Sequence, residues 1–132
     1  MATIPENFLD LLTSKKAFAN IATVMKDGSP QVTPIWFDYT DGKIRVNTAR
    51  GRVKSRTMRE GVPVALAVMD PDNPYRYIQI RGRVSRITEN GADAHIDSLA
   101  KKYLGQDKYP FRQPGETRVT YEIEPASAQA MG

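Results

Sequence analysis

The chain contains no cysteine and only one histidine, His95, and these two shortages exclude several kinds of chemistry. Without cysteine there is no disulfide framework, thiolate metal site or cysteine nucleophile. One histidine excludes a multi-histidine metal centre, and its place among apolar residues of a predicted helix indicates a structural role. No nucleophile with an adjacent base stands out. The sequence therefore predicts no metal site and singles out no catalytic residue, so a bound cofactor would carry any redox chemistry.

Long apolar runs are also missing from the sequence. No stretch approaches the roughly 20 apolar residues that a membrane span needs. The first residues show neither the basic region nor the apolar core of a signal peptide, which predicts a cytoplasmic protein. The 132 residues, 40% hydrophobic and 26% charged, suit one globular domain. We expect that domain over 1–125, followed by a small, polar and disordered tail over 126–132.

The positive charge is concentrated in one short segment. The net charge is 19 − 15 = +4. Seven cations and no acid lie between residues 43 and 59, so the rest of the chain carries 12 − 15 = −3. These cations are Lys43, Arg45, Arg50, Arg52, Lys54, Arg56 and Arg59. Such a basic segment indicates an anionic partner carrying phosphates or carboxylates, or a nucleic acid. The alternative is a solvated charged surface.

Alternating apolar and polar residues predict a mainly β protein with short helices. Six strands are expected, over 19–26, 31–38, 43–48, 62–69, 75–87 and 117–124. Pro34 places an interruption, a bulge or a sheet edge in the second strand, and Gly82 a bulge in the fifth. Helices are expected over 5–13, within 49–60, and over 91–104 with Gly105 as its end. Short hairpin turns then favour a six-stranded antiparallel β-barrel, closed or split.

The segment 47–56 is the strongest candidate for a binding site. A strand ends there, a glycine turn follows, and a short helix begins. Free backbone amides at that point, together with Arg52 and Lys54, can bind a phosphate. The spacing matches neither a Walker loop nor a dinucleotide-binding fingerprint. The segment therefore predicts an anion site without naming the anion.

Aromatic residues on a different predicted strand offer a second kind of contact. Tyr75 and Tyr77 share one face of the fifth strand with Gln79, where they can stack on a ring or a base, or form a cross-strand aromatic ladder. Trp36 is expected in the core, and Gln31 on the surface.

Several segments of the chain resemble one family. They are Gly-Ser-Pro-Gln-Val-Thr-Pro-Ile-Trp-Phe over 28–37, Asn-Thr-Ala-Arg-Gly-Arg-Val-Lys-Ser-Arg-Thr-Met-Arg over 47–59, Pro-Val-Ala-Leu-Ala-Val-Met-Asp-Pro over 63–71, and Tyr-Ile-Gln-Ile-Arg-Gly-Arg-Val over 77–84. In this order they resemble the pyridoxamine phosphate oxidase-like, flavin-binding split-barrel proteins. Lys-Tyr-Leu-Gly over 102–105 and the segment 109–116 resemble the branch that binds the deazaflavin coenzyme F-420.

The resemblance implies a homodimer of six-stranded split barrels with a cofactor between the subunits. It implies phosphate contacts from Arg52 and Lys54, with Asn47, Thr48, Val53, Ser55 and Arg56 nearby. It implies that Gln31, Thr33, Pro34 and Ile35 line the cofactor ring, and that Tyr75, Tyr77 and Gln79 come from the other subunit.

The implied activity is hydride transfer from reduced coenzyme F-420 to an enone, a quinone or a tetrapyrrole. Seven cations suit this long polyanion better than FMN, which carries one phosphate. An FMN protein of the same fold, a protein that binds cofactor without turnover, and a basic β-barrel that binds single-stranded nucleic acid are the alternatives. No membrane partner is expected.

Overall fold

The computed structural model describes residues 3–132, apart from the side chains of residues 53 and 55. Its seven strands are β1 (Ala19–Val24), β2 (Pro30–Ile35), β3 (Asp38–Thr40), β4 (Lys43–Ala49), β5 (Pro63–Asp70), β6 (Asn73–Thr88) and β7 (Arg118–Met131). The α-helices are α1 (Leu9–Leu12), which follows a 3₁₀ turn at Glu6–Phe8, α2 (Val53–Thr57) and α3 (Ala92–Leu104). No helix in the described part of the chain is both long enough and apolar enough to cross a membrane.

All seven strands form one antiparallel sheet in the order β2-β1-β5-β6-β7-β4-β3. The sheet curves around the main core, since strands from both of its halves contribute buried residues to one cluster, among them Ile21, Leu66 and Ile123. A smaller cluster lies around α3. Strands β2 and β3 lie at the two ends of the sheet. This open, curved sheet is consistent with the split barrel expected from the sequence.

The sheet has seven strands rather than the predicted six, because the predicted strand over 31–38 is divided in two. The backbone leaves the ladder at Trp36 and Phe37. The Phe37 amide donates to the Tyr103 hydroxyl (3.4 Å), and the Phe37 carbonyl accepts from Lys102 Nζ (3.2 Å). Contacts to α3 therefore replace ladder hydrogen bonds at this point. Pro34 lies in β2 at the edge of the sheet. An edge is one of the three positions expected for this proline, because it has no amide hydrogen to donate to a neighbouring strand.

The last strand is longer than the sequence indicates. The alternation predicts that it ends at Glu124 and that a disordered tail follows, but β7 continues to Met131. Residues 127–131 pair with β6, and Met131 lies opposite Tyr77. Strand β6 is sixteen residues long, so it offers backbone hydrogen-bond partners to residues 125–131. The small and polar side chains of that segment have low β propensity, so the sequence alone does not predict a strand there.

Gly82 lies where β6 and β7 approach closely. The register of the two strands shifts between Arg81 and Gly82, in agreement with the predicted bulge. A Cβ atom at this position would collide with the Glu124 carbonyl oxygen. We expect Gly82→Ala to lower the free energy of unfolding by about 3 kcal/mol, measured by urea denaturation, because backbone atoms must shift.

The matched control is Gly61→Ala. Gly61 has φ +85° and open space around it, so this substitution should cost about 1 kcal/mol from backbone conformation alone. A Gly82→Ala variant no less stable than the control would show that the two strands can separate at this point without penalty.

Candidate functional site

A cavity of about 260 Å³ opens between the edge of the sheet, α3 and the loop that follows α3. Its polar wall comes from the end of β4, the turn before α2 and the start of β7. Its apolar wall comes from the end of β2, from α3 and from the loop over 105–117. The polar lining residues are Asn47, Thr48, Arg52, Lys54 and Arg118, and the apolar and aromatic ones are Phe18, Pro34, Ile35, Trp36, Ile96, Leu99, Tyr109 and Phe111.

Two cations of the basic segment meet at this cavity. Lys54 lies in the first turn of α2, and its Nζ donates to the Thr33 hydroxyl of β2 (2.8 Å). Burial lowers the pKa of Lys54, and the charge of Arg52 lowers it further. Arg52 Nη2 lies 3.6 Å from Glu116 Oε2. Two neighbouring cations, one of them half-buried, favour a bound anion that would relieve their repulsion.

Arg118 is a third cation on the cavity wall, and it is almost completely buried. Its Nε donates to Glu116 Oε1 (2.7 Å), and its Nη1 donates to Asn47 Oδ1 (3.3 Å). Its guanidinium also lies over the Tyr109 ring, 4.7 Å from the centroid. Arg118 Nη2 nevertheless has no hydrogen-bond partner among the described residues, and the same holds for the Thr48 hydroxyl.

Unpartnered buried polar atoms are rare, because each costs free energy in the folded protein. Of these two, Arg118 Nη2 lies on the same face as Asn47 and Tyr109, whereas Thr48 lies opposite Val119 on the core face of the sheet. The cations Arg52, Lys54 and Arg118 beside an aromatic wall fit a ligand that carries oxygen atoms next to an aromatic or conjugated ring. A flavin or deazaflavin phosphate has both features, so the residues present fit such a cofactor.

The opposite wall is a connected set of aromatic rings. Trp36 stacks on Tyr103 with 5.3 Å between centroids and 4° between planes, and Tyr109 meets Trp36 edge-on at 6.0 Å. Phe18 and Phe111, which are 48% and 59% exposed, stand at the rim. The expected core position of Trp36 is wrong, since Trp36 is half-buried and lines the cavity. Gln31, expected on the surface, is also half-buried.

His95 lies behind the polar wall in a buried network. Its Nε2 is 3.0 Å from Asp38 Oδ2, and its Nδ1 is 3.2 Å from Asn47 Nδ2. Asn47 Nδ2 also donates to the Ala92 carbonyl (2.9 Å), which fixes this nitrogen as the donor. His95 Nδ1 therefore accepts, and Nε2 carries the hydrogen toward Asp38. This geometry agrees with the structural role expected for His95 and shows how Asn47 is held at the cavity.

The pKa of Asp38 predicts how this network responds to acid. Burial raises the pKa of Asp38, but hydrogen bonds from His95 and Arg45 outweigh burial, and the pKa lies below its ordinary value of 3.8. The carboxylate therefore contributes stability that is present above pH 3.8 and is lost as the pH falls through the lowered pKa. We expect Asp38→Asn to cost about 1–3 kcal/mol at neutral pH, since it removes charge-assisted hydrogen bonds.

The variant should also lose stability less steeply than the wild type below about pH 4, in urea denaturation over a pH series. Asp41→Asn is the control, because Asp41 lies in an exposed turn at φ 53°, a conformation that asparagine tolerates. In the control, the free energy of unfolding should fall with decreasing pH as steeply as in the wild type. An equally steep fall in Asp38→Asn would contradict the assigned role of the carboxylate.

The structure brings part of the expected site together and places the rest elsewhere. Pro34, Ile35, Asn47, Thr48, Arg52 and Lys54 line the cavity, and Thr33 adjoins it through Lys54. Gln31 lies on β2 outside the cavity lining, and the side chains of Val53 and Ser55 lie outside the described residues. Arg56 lines a second cavity of about 370 Å³ with Lys26 and Arg59.

The remaining expected residues lie on the outer face of the sheet, which we define as the side turned away from the core. Tyr77 and Gln79 alternate with the buried Ile78 and Ile80 on β6, and Tyr75 is 83% exposed at the start of that strand. Tyr77 pairs with Met69 and Met131, so no cross-strand tyrosine ladder forms here. Within a single chain these three residues do not reach the cavity lining.

Comparisons with known proteins agree with this architecture. The family model for pyridoxamine 5'-phosphate oxidase matches residues 4–132. A solved "F420 Reductase" is 31% identical, with a TM-score of 0.80, over 96% of this chain and 98% of that chain. The conserved hypothetical protein Rv2991 from Mycobacterium tuberculosis is 20% identical, with a TM-score of 0.75, over 98% of this chain and 85% of its own.

An FAD and heme binding protein from Mycobacterium smegmatis has the same fold, at 18% identity and a TM-score of 0.71, over 98% of this chain and 71% of its own. No curated protein sequence matches the chain. The family match covers nearly the whole chain, and the chain therefore belongs to the pyridoxamine 5'-phosphate oxidase-like family of flavin-binding split barrels.

Proposed function

We propose that this protein is an oxidoreductase that binds coenzyme F-420 and reduces an electrophilic small molecule. The observation that carries the proposal is the cavity, which combines three cations, one of them with a buried nitrogen that has no partner among the described residues, with an aromatic wall. The 31% identity with an F420 reductase over nearly the full length of both chains supports the choice of cofactor. A cytoplasmic location stays a prediction.

Each wall of the cavity has a distinct task in this proposal. Arg52 and Lys54 bind the phosphate, because a guanidinium forks two oxygens and an ammonium adds a point charge. The end of β2, at Pro34 and Ile35, packs against the ring. When bound, the reduced deazaflavin supplies a hydride to an electrophilic carbon of the acceptor, and water supplies the proton. The protein accelerates the reaction by holding the two carbons together and excluding solvent.

The charges beyond the cavity favour coenzyme F-420 over FMN. Arg56 and Arg59 line the second cavity together with Lys26, and α2 leads from Lys54 to Arg56. Coenzyme F-420 carries a phosphodiester and a carboxylate-rich tail, so it can contact the cations of both cavities. FMN ends at its single phosphate and would contact only Arg52 and Lys54. FMN is the second candidate, because the family binds flavins.

A second copy of the chain would complete the site. On the outer face of the sheet, Val32, Ala22 and Ala65 lie side by side across β2, β1 and β5. The same face exposes Val24, Met69 and Met131, each about half accessible. An apolar sheet face of this kind is typical of an interface. We propose a homodimer through this face, in which Tyr75, Tyr77 and Gln79 of each subunit contribute to the cofactor site of the other.

The activity test follows the oxidation of reduced coenzyme F-420 by the purified protein with a panel of enones, quinones and tetrapyrroles. We expect saturable, protein-dependent oxidation with at least one of these acceptors. Tight binding of the cofactor without turnover on any of them would instead favour a binding or storage protein.

A further inference from the structure

The loop over 105–117 places two aromatic rings at the cavity, although little of its backbone is bonded to the rest of the protein. Tyr109 is half-buried and meets Trp36 edge-on, and Phe111 meets Tyr109 edge-on at 5.7 Å between ring centroids. Among the described residues, no backbone-to-backbone hydrogen bond joins the interior of the loop, residues 106–116, to another part of the chain. Side-chain contacts therefore decide where the two rings lie.

One carboxylate on α3 holds the middle of this loop. Asp97 Oδ1 accepts from the Tyr109 backbone amide (2.9 Å) and from Arg112 Nη2 (2.7 Å). Asp97 Oδ2 lies 3.7 Å from Lys108 Nζ. Burial raises the pKa of Asp97, but the amide hydrogen bond and the two neighbouring cations lower it below its ordinary value of 3.8. The carboxylate is therefore ionised at neutral pH and bonds to the loop on both sides of the two rings.

The rings of the loop belong to an aromatic end of the cavity, across from the cations. Trp36 and Phe18 line the same end, and the side chain of Phe111 is 59% exposed at its rim. In the proposed function, Arg52 and Lys54 bind the anionic part of the cofactor, which leaves the aromatic end to the hydride acceptor. Aromatic rings pair best with other flat rings, and their electron-rich faces attract an electron-poor ring. A quinone has both properties.

We propose that Tyr109 and Phe111 form the binding surface for the ring of the acceptor, that this acceptor is a flat quinone, and that Asp97 is the residue that positions both rings. This inference rests on the proposed function and narrows its class of acceptors. The quinone gains a hydride from reduced coenzyme F-420 and a proton from water, and it leaves as the hydroquinone. Asp97 takes no part in that transfer and acts only through the loop.

The first experiment tests the positioning role of Asp97 without any ligand. Trp36 is the single tryptophan of the chain, so the fluorescence of the protein reports on its surroundings, which include Tyr109. Asp97→Ala removes the acceptor of the Tyr109 amide, so the loop should move away and acrylamide should quench Trp36 about twofold more strongly. Asp97→Asn keeps an oxygen that can accept this amide hydrogen and should restore most of the protection.

Asp93→Ala is the matched control for the quenching experiment. Asp93 contacts the same Arg112 at 3.0 Å, but its side chain is 71% exposed, and among the described contacts it accepts from no backbone amide of the loop. Quenching of Trp36 should be the same in this control as in the wild type. Wild-type quenching in Asp97→Ala, or an equal increase in Asp93→Ala, would overturn the positioning role.

The second experiment identifies the ligand that the rings contact. It compares menadione, a flat two-ring quinone, with 2-cyclohexen-1-one, an enone whose ring is not flat. The KM of each is measured at saturating reduced coenzyme F-420, and the Kd of the coenzyme is measured by fluorescence titration. Calorimetric titration of menadione into the protein saturated with oxidised coenzyme gives its Kd without turnover. The wild type should have the lower KM for menadione.

Phe111→Ala is the decisive variant, because an exposed side chain at the rim is not needed for folding. It should raise the KM and the Kd of menadione about 5–10-fold, with kcat and the Kd of the coenzyme within about twofold of the wild type. Asp97→Ala should raise the KM of menadione by a similar factor, and Asp97→Asn should reverse most of that increase.

Two results would overturn this inference while the proposed function stands. One is an unchanged affinity for menadione in Phe111→Ala, and the other is a lower KM for the enone than for menadione in the wild type. A weaker Kd for coenzyme F-420 in Phe111→Ala, with unchanged affinity for menadione, would assign the rings to the cofactor and would also overturn it. A wild-type chain that does not bind the coenzyme would overturn the proposed function and this inference together.

Discussion

Replacing Arg52 by glutamine and Lys54 by methionine in the same chain should lower the affinity for coenzyme F-420 about 100-fold, measured by fluorescence titration at near-physiological salt. Lys54 is the stronger contributor, because it is half-buried and positioned by Thr33. The side chain of Arg52 is 53% exposed, so its contact with a phosphate is more strongly screened by solvent. In the free protein, burial and the charge of Arg52 lower the pKa of Lys54. A bound phosphate would raise that pKa again, so the contributions of Arg52 and Lys54 to binding depend on each other.

Arg50→Gln is the matched control for this variant. Arg50 belongs to the same basic segment, but it pairs with Glu89 at 2.9 Å on the surface and does not line the cavity. Loss of its charge should change the affinity by no more than about twofold to threefold. If Arg50→Gln weakened binding as much as the double variant, the basic segment would attract anions through its overall charge, and a specific phosphate site would be contradicted.

Replacing Ala67 by glutamate should convert the proposed homodimer into monomers. Ala67 is exposed near the middle of the outer face of the sheet, between Asn20 and Gln79 in the strand register. An unpaired carboxylate buried in an interface costs several kcal/mol, which weakens association by about 100-fold or more. Sedimentation at a series of protein concentrations measures this change directly.

The same variant should bind coenzyme F-420 more weakly than the wild type. This follows because Tyr77 and Gln79 of a second copy are proposed to complete each site. Ala94→Glu introduces the same charge on an exposed position of α3 and should leave both association and binding unchanged. If Ala67→Glu associates as the wild type does, the subunit interface lies elsewhere. If the wild-type chain is monomeric at all concentrations tested, the proposed homodimer is contradicted.

Local signals in the sequence predict much of this fold. The basic turn and the short helix α2 follow from residues 47–56, and Gly105 ends α3 at φ 72° as expected. The bulge at Gly82 is predicted because a glycine within an alternating strand often marks a bulge. These features depend on the conformational preferences of neighbouring residues, which a sequence shows directly.

The features that the sequence does not predict depend on distant partners. The strand break at Phe37 depends on Tyr103, which is 66 positions away in the chain. The extension of β7 past Pro125 depends on pairing with β6. Arg118 reaches the cavity because β7 pairs with β4, which places it opposite Ala49. A cation at the start of the last strand becomes a candidate only when this pairing of non-consecutive strands is known.

The most direct test of the proposed cofactor site is a fluorescence titration of the wild-type protein with coenzyme F-420 and with FMN, side by side at near-physiological salt. We expect saturable binding with one cofactor per chain and a lower Kd for coenzyme F-420. A lower Kd for FMN would keep the cavity but contradict the proposed cofactor. Binding of neither, with a single-stranded nucleic acid bound in a strongly salt-dependent manner, would contradict the cofactor site itself.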